Sequence, residues 1–248
     1  MQHHPVVSRE EWLVARKALL LREKEATHLR DKINAERLAL PWVKVDKPYV
    51  FDTPSGERTL AELFAGRSQL LTYHFMLAPG WDAGCTGCSF LADHFDGALP
   101  HLEHHDVTLT AVSRAPLSEI EAYKARMGWR FPWASSFRSD FNRDFHVSFS
   151  EAELGTGEVF YNFTKTPAKQ AAPELPGLSA FVRDEAGQVF HTYSGYTRGL
   201  EEIIGTLMIL DRAPLGRNET STMSFVRRHD EYEPAPQAKA CCAAPAAA

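Results

Sequence analysis

The residues with the clearest chemical potential are Cys85-Thr86-Gly87-Cys88. Two cysteines at this spacing, placed at the start of a helix, lie one turn apart on one side. They are then close enough for one sulfur to resolve a mixed disulfide formed on the other. A helix N-terminus also offers unpaired N–H groups and the positive end of the helix dipole, and both favour thiolate over thiol. Such placement can bring a cysteine pKa from about 8.5 down to roughly 3.5–7.5. Cys85 is the candidate attacker and Cys88 the candidate resolving thiol. The same spacing also serves as half of a zinc site or as an inert structural pair. The remaining cysteines, Cys241-Cys242, are adjacent, which is too tight for an unstrained disulfide, and read as incidental.

Eleven histidines raise the question of a metal. His94, His101, His104 and His105 follow the cysteines closely. No second C-x-x-C and no H-x₃₋₅-H partner at zinc-finger distance accompanies them, so neither a metal nor any other cofactor is expected.

Several nearby residues have a functional and a plain reading. Gly80 and Gly84 let the loop before Cys85 bend. Trp81 forms either an apolar lip over the thiolate or a packed loop aromatic. Asp82 would oppose ionisation of Cys85 if its charge came close, and otherwise is a solvated turn residue. His74 has an unperturbed pKa suited to taking the proton of the resolving thiol, and is otherwise a core histidine. Strand alternation groups it with Thr72 and Met76, opposite Tyr73 and Phe75. Arg114 follows a strand end, where open α/β sheets bind ligands. It binds either an acidic substrate group or a surface carboxylate.

The elements that would position these residues follow from pattern. Ser8 and Glu11 form a capping box for a long helix over 8–40, stopped by Pro41. Residues 42–53 are extended, with a turn at Pro54-Ser55-Gly56. A short helix over Thr59–Phe64 precedes an apolar strand, Gln69–Leu77, of the kind buried on both faces. A helix is expected from Cys85 to about Gly97, and a helix end or loop around His101. Asp106–Ser113 is a second strand, and Pro116 opens a helix that Gly128 ends. Trp129–Ser136 and Gly157–Phe163 are extended. Leu178–Arg183 and Gln188–Tyr193 form a hairpin around Asp184-Glu185-Ala186-Gly187, and Gly199–Leu210 is the last main helix. Strands alternating with helices, closed by a hairpin and a helix, predict an α/β fold with a mixed sheet.

Composition sets outer limits. The 248 residues suffice for one elaborated domain, and the formal net charge of −5 disfavours nucleic acid as a partner. No apolar run reaches the roughly 20 residues of a spanning helix, and the N-terminus has no secretory pattern, so a cytoplasmic site without membrane attachment is expected.

The sequence also resembles a known family. Tyr73-His74-Phe75-Met76, Trp81, Gly84-Cys85-Thr86-Gly87-Cys88-Ser89-Phe90 and Asp96-Gly97-Ala98-Leu99-Pro100 are similar to the thioredoxin-like family called domain of unknown function 899. So are Ala111–Pro116, Met127-Gly128-Trp129, Phe131-Pro132-Trp133, Ser139–Asn142, His191–Ser194, Arg198-Gly199-Leu200 and Arg228–Tyr232. The resemblance spans about residues 8–232. It implies an α/β, thioredoxin-like fold with a peroxiredoxin-like elaboration and an N-terminal helical extension, and a dithiol-disulfide oxidoreductase activity. Relatives carry Pro-Ser between the cysteines where this chain has Thr86-Gly87, which alters redox poise without removing the dithiol. The wider thioredoxin pattern implies a cis-proline facing the dithiol. Pro176 stands where that element belongs, so that Leu175 would present its backbone to a substrate.

The expected organisation is a helical arm over 1–41, a thioredoxin-like domain over 42–215 and a polar segment over 216–248 whose end is disordered. The leading functional reading is thiol–disulfide exchange by Cys85 and Cys88 on a protein or small-molecule disulfide. A thiol peroxidase comes second. The peroxiredoxin arrangement P-x-x-x-T-x-x-C is absent, with Ala78 at the proline position and Asp82 at the threonine position. A non-catalytic binding module with a structural or metal-holding dithiol is the third. A homo-oligomer is compatible with any of them.

Overall fold

The structure is a computed structural model and describes residues 4–233. The expected disorder after residue 233 and the pair Cys241-Cys242 lie outside the described residues. The chain divides into two compact units, Met1–Val43 and Lys44–Ala248. The first is dominated by α1 (Arg9–Leu38), which starts at the expected capping box: Glu11 N–H donates to Ser8 Oγ at 3.2 Å and Ser8 N–H to Glu11 at 2.9 Å.

The sheet begins with β1 (Val43–Lys44), β2 (Val50–Thr53) and β3 (Gly56–Thr59), the last two forming a hairpin. A 3-10 turn at Glu62–Phe64 leads into β4 (Gln69–His74). Then come α2 (Thr86–Ala92), α3 (Phe95–His104), β5 (Val107–Ser113), α4 (Leu117–Met127) and β6 (Trp133–Ser135). Two short helices, α5 (Phe141–Asp144) and α6 (Glu151–Gly155), precede a separate hairpin of β7 (Glu158–Tyr161) and β8 (Thr164–Pro167). β9 (Gly177–Arg183), β10 (Val189–Tyr196), a 3-10 segment and α7 (Gly205–Leu210) close the core.

The main sheet has the order β1-β10-β9-β4-β5-β6-β2-β3. β4, β5 and β6 are parallel, whereas β9 is antiparallel to β4 and β10 to β9. A β-helix-β unit with its first strand flanked by an antiparallel hairpin is the thioredoxin-like arrangement, and the chain has that fold. One face carries Tyr73, Phe75, Leu109, Ala111 and Trp133 against residues of α2, α3, α4 and α7. The other carries Leu70, Val112 and Phe181 against Phe51, Phe64 and Phe141. Among the described residues no helix is long and apolar enough to cross a membrane.

Several elements differ from the expectation. The helix after Cys85 breaks at Asp93-His94. Asp93 accepts bonds from Trp129 Nε1 at 2.8 Å and pairs with His229 Nδ1 at 2.7 Å, while His94 Nε2 meets Thr206 Oγ1 at 2.9 Å. These distant partners fix the bend. α3 then runs through Pro100, because Phe95, Leu99 and Leu102 pack on the core and outweigh one missing N–H. The last helix is likewise divided, with Ile204 (φ −98°, ψ 87°) between the 3-10 segment and α7. The expected extended segment Gly157–Phe163 contains β7, but its pairing with β8 was not foreseen, because the turn residues Asn162 and Phe163 take positive φ without a glycine to signal it.

Candidate active site at the Cys85–Cys88 turn

The loop from β4 to α2 is fixed by close packing and backbone bonds. Cys85 N–H donates to Met76 O at 3.0 Å. Gly84 sits against two rings: a Cβ there would come within 2.4 Å of Phe75 and 2.8 Å of Tyr123. Phe75 is itself wedged among Trp129, Trp133 and Tyr123 and has little room to move. Gly84→Ala is therefore expected to destabilise the protein by about 1–3 kcal/mol, as overpacking does. A denaturant midpoint measured on the purified variant checks this.

Cys85 occupies the N-cap of α2 and Cys88 lies within its first turn. Ser89 donates to Cys85 O from both N–H (2.9 Å) and Oγ (2.8 Å), and its hydroxyl also meets Tyr123 OH at 2.8 Å. From the far end of the unit, Arg228 donates to Gly84 O through Nη2 (2.7 Å) and Nε (3.1 Å). Its other terminal nitrogen, Nη1, pairs with Glu231 at 2.7 Å.

Both cysteines are free thiols, Cys85 half-buried and Cys88 only 1% exposed. Their sulfurs lie near each other, and this proximity splits their acidities. The Cys88 S–H, then the N–H groups of Cys88 and Gly87, then the charge of Arg228 bring Cys85 down to about 6 against its partial burial. Burial and the neighbouring Cys85 push Cys88 well above the ordinary thiol value. Beneath Cys88, the Tyr73 hydroxyl and the Met76 backbone bond to the Cys88 sulfur and favour its thiolate. Burial and Cys88 keep Tyr73 protonated, so it acts as a donor. The resulting chain is Tyr73 O–H, Cys88 S–H, Cys85 S⁻.

A cavity of about 280 Å³ opens beside both sulfurs. Its walls include Tyr73, Leu91, Pro176, Leu200, Ile204 and Met223, with Arg198, Glu201 and Thr222 among its polar lining.

The other sequence-derived candidates fall as follows. Pro176 lines the cavity beside the dithiol, but no described peptide bond is cis, so it faces the pair as a trans proline. The segment is held there by Leu175 N–H to Val147 O at 2.8 Å and Tyr161 O–H to Pro176 O at 2.6 Å. Trp81 packs partly buried on the main core and is not among the cavity-lining residues. His74 is on the wrong face of β4: it stacks on Phe141 and Phe145, away from Tyr73 and Cys88. Its Nε2 meets Ser179 Oγ at 2.9 Å, and burial, with a smaller effect of His191, lowers its pKa to about 3. An imidazole so placed cannot collect the Cys88 proton. Arg114 is also committed, its Nε donating at 2.7 Å to Glu174, a buried carboxylate that Ser148 also contacts. Among the described residues no three His, Cys, Asp or Glu side chains converge as a metal site.

Sequence reasoning missed Tyr73 and Arg228 as site residues. The alternation of β4 separates Tyr73 from His74, and the more apolar Tyr73/Phe75 side is the one the helices cover. Arg228 stood within a recognised motif, but nothing local says that it reaches Gly84.

A family profile described as "Bacterial protein of unknown function (DUF899)" matches residues 1–232. The chain belongs to this family. The DUF899 match takes in the cysteine turn, Tyr73 and Arg228, and its description assigns no reaction. No curated protein matches the sequence. Among solved structures, peroxiredoxin Q of Xanthomonas campestris is 14% identical with a TM-score of 0.47, over 70% of this chain and 98% of that one. Peroxidoxin BcpB of Mycobacterium tuberculosis is 14% identical with a TM-score of 0.43, over 69% and 97%. The mitochondrial 2-Cys peroxiredoxin of Plasmodium falciparum is 14% identical with a TM-score of 0.39, over 68% and 94%. Likeness at this level has no bearing on the chemistry of this DUF899 chain.

Proposed function

We propose that this DUF899 protein is a thiol–disulfide oxidoreductase that uses Cys85 as nucleophile and Cys88 as resolving thiol. The observation that carries this reading is the asymmetry of the pair: an acidic, half-buried sulfur at the cavity lies beside a buried, weakly acidic one.

The thiolate of Cys85 attacks one sulfur of a disulfide and expels the other as a thiolate. Forming the mixed disulfide removes the negative charge from Cys85, which had depended on the Cys88 proton. Cys88 can then ionise, helped by Tyr73 O–H and the Met76 backbone, and attack Cys85. The second half of the substrate leaves as a thiol, and the protein holds a Cys85–Cys88 disulfide. Two electrons have passed from protein to substrate.

Turnover of a small disulfide with dithiothreitol as reductant tests the reading. Wild type should exceed the uncatalysed exchange, and Cys85→Ser should return the rate to it. Equal rates in the two proteins, or stoichiometric zinc on an inactive wild type, would refute it in favour of a structural or metal-holding dithiol.

A further inference from the structure

Resting on the exchange reading above, we infer that the substrate is a small disulfide with uncharged, apolar substituents, rather than a polypeptide segment or a highly charged disulfide.

The first support is the wall chemistry next to the sulfurs. The cavity presents Leu91, Leu200, Ile204, Pro176 and Met223 around both thiols. An apolar void of about 150 Å³ takes a benzene molecule. A cavity of about 280 Å³ therefore takes one aliphatic or aromatic substituent with the sulfur that carries it. A bulky disulfide bearing several charges would have to lose their hydration against apolar walls. The lining cation, Arg198, is largely exposed and its charge is already paired. Arg198 is bound to Glu201 at 2.9 Å, and Glu201 also receives Arg217 at 3.4 Å.

The second support is the backbone opposite the dithiol. A bound polypeptide would need open main-chain groups there to pair as an added strand. That segment's N–H donors and two of its carbonyls are already engaged internally or missing. Phe149 N–H donates to Pro173 O at 2.9 Å, Leu175 N–H donates to Val147 O at 2.8 Å, and Tyr161 O–H occupies Pro176 O at 2.6 Å. Pro176 has no N–H to offer.

The third is the cover supplied by the chain after α7. Met223 reaches over the turn, its terminal carbon 3.4 Å from where a Cβ on Gly87 would stand, and Glu219 accepts the Met223 N–H at 2.7 Å. Phe225 stacks edge-on against Phe90, and Val226 is buried. This segment restricts the approach to Cys85 to something that enters the cavity, where a broad protein surface would meet it first.

For a substrate R–S–S–R, the Cys85 thiolate forms Cys85–S–S–R and releases R–S⁻. Cys88 then loses its proton, attacks Cys85 and releases the second R–S⁻, each leaving group taking up a proton from solvent or from the Cys88 thiol. The sum is R–S–S–R plus two protein thiols giving the protein disulfide and two R–SH.

The test is single-turnover oxidation of the reduced wild-type protein by dibutyl disulfide, oxidised glutathione and a peptide closed by an intrachain disulfide. Each rate is divided by the rate of the same compound with free dithiothreitol, which removes intrinsic reactivity. Dibutyl disulfide is expected to lead by on the order of 100-fold, reflecting the cost of burying unpaired charge. Thr222→Trp, a substitution at an exposed lining position, should lower the dibutyl disulfide rate at least tenfold. Equal or faster normalised rates with oxidised glutathione or the peptide would overturn the inference while leaving the exchange reading in place. So would an unchanged rate in Thr222→Trp. Failure of all three compounds to oxidise the pair would instead overturn the exchange reading on which the inference rests.

Discussion

Replacing Cys88 by alanine should raise the pH at which Cys85 is half-alkylated from about 6 to about 7 or higher. The Cys88 S–H is the largest single cause of the acidity of Cys85, ahead of the N–H groups of Cys88 and Gly87 and the charge of Arg228. Hydrogen bonds to charged groups contribute about 1.5–3 kcal/mol, which is roughly one to two pH units. At pH 7 the thiolate share of Cys85 would fall from about nine-tenths to about half or less. Cys88→Ser keeps an O–H donor and should move the midpoint less. The sign follows from the direction of the shift. A lowered pKa means that Cys85 reacts above about 6 and loses reactivity as the pH falls through that value. The same thiolate stabilises the folded, reduced protein, fully above the ordinary thiol pKa and progressively less as the pH falls through about 6. One pH unit above the Cys85 pKa, at pH 7, the reduced form gains about 1.4 kcal/mol, which makes the couple more oxidising by about 30 mV. A midpoint that stays at about 6 in Cys88→Ala would show that the two sulfurs do not share the proton.

Tyr73→Phe should leave the first attack nearly unchanged and slow the second by about 10- to 100-fold. The hydroxyl of Tyr73 bonds to the sulfur of Cys88, and Cys88 must become a buried thiolate to resolve the mixed disulfide. Loss of a donor to a buried charge costs about 1.5–3 kcal/mol, which sets the expected factor. The ring remains to fill its place beside Phe75 and Phe95, so the substitution removes the hydroxyl with little loss of packing. Rapid acid quenching and mass spectrometry would show the Cys85 mixed disulfide accumulating in the variant and passing quickly in wild type. The pH midpoint of Cys85 alkylation separates this role from a merely structural one, since a disturbed turn would move it too. Equal resolution rates in the two proteins would remove Tyr73 from the mechanism.

The core strands were legible because each is an uninterrupted apolar or alternating run: Gln69–His74, Val107–Ser113 and the pair around Asp184–Gly187. The cysteine turn was legible because its spacing and its place between a strand and a helix are local facts. What the sequence concealed depends on residues far apart in the chain. Asp93 and His94 break the helix through Trp129, Thr206 and His229. Arg114 finds its carboxylate 60 residues away in Glu174. His74 drew interest through its ordinary pKa, yet alternation alone could not say which side of β4 the cysteine helix would cover. The position of Pro176 beside the dithiol followed from the thioredoxin-like order of elements, whereas its isomer did not.

The most direct measurement is peptide mapping of the reduced protein after one equivalent of dibutyl disulfide, with free thiols blocked under acid. Two thiols should vanish together, and one cross-linked peptide should join Cys85 to Cys88. Recovery of both cysteines as free thiols, or of Cys85 held permanently as a mixed disulfide beside an unreacted Cys88, would contradict a working dithiol at this turn.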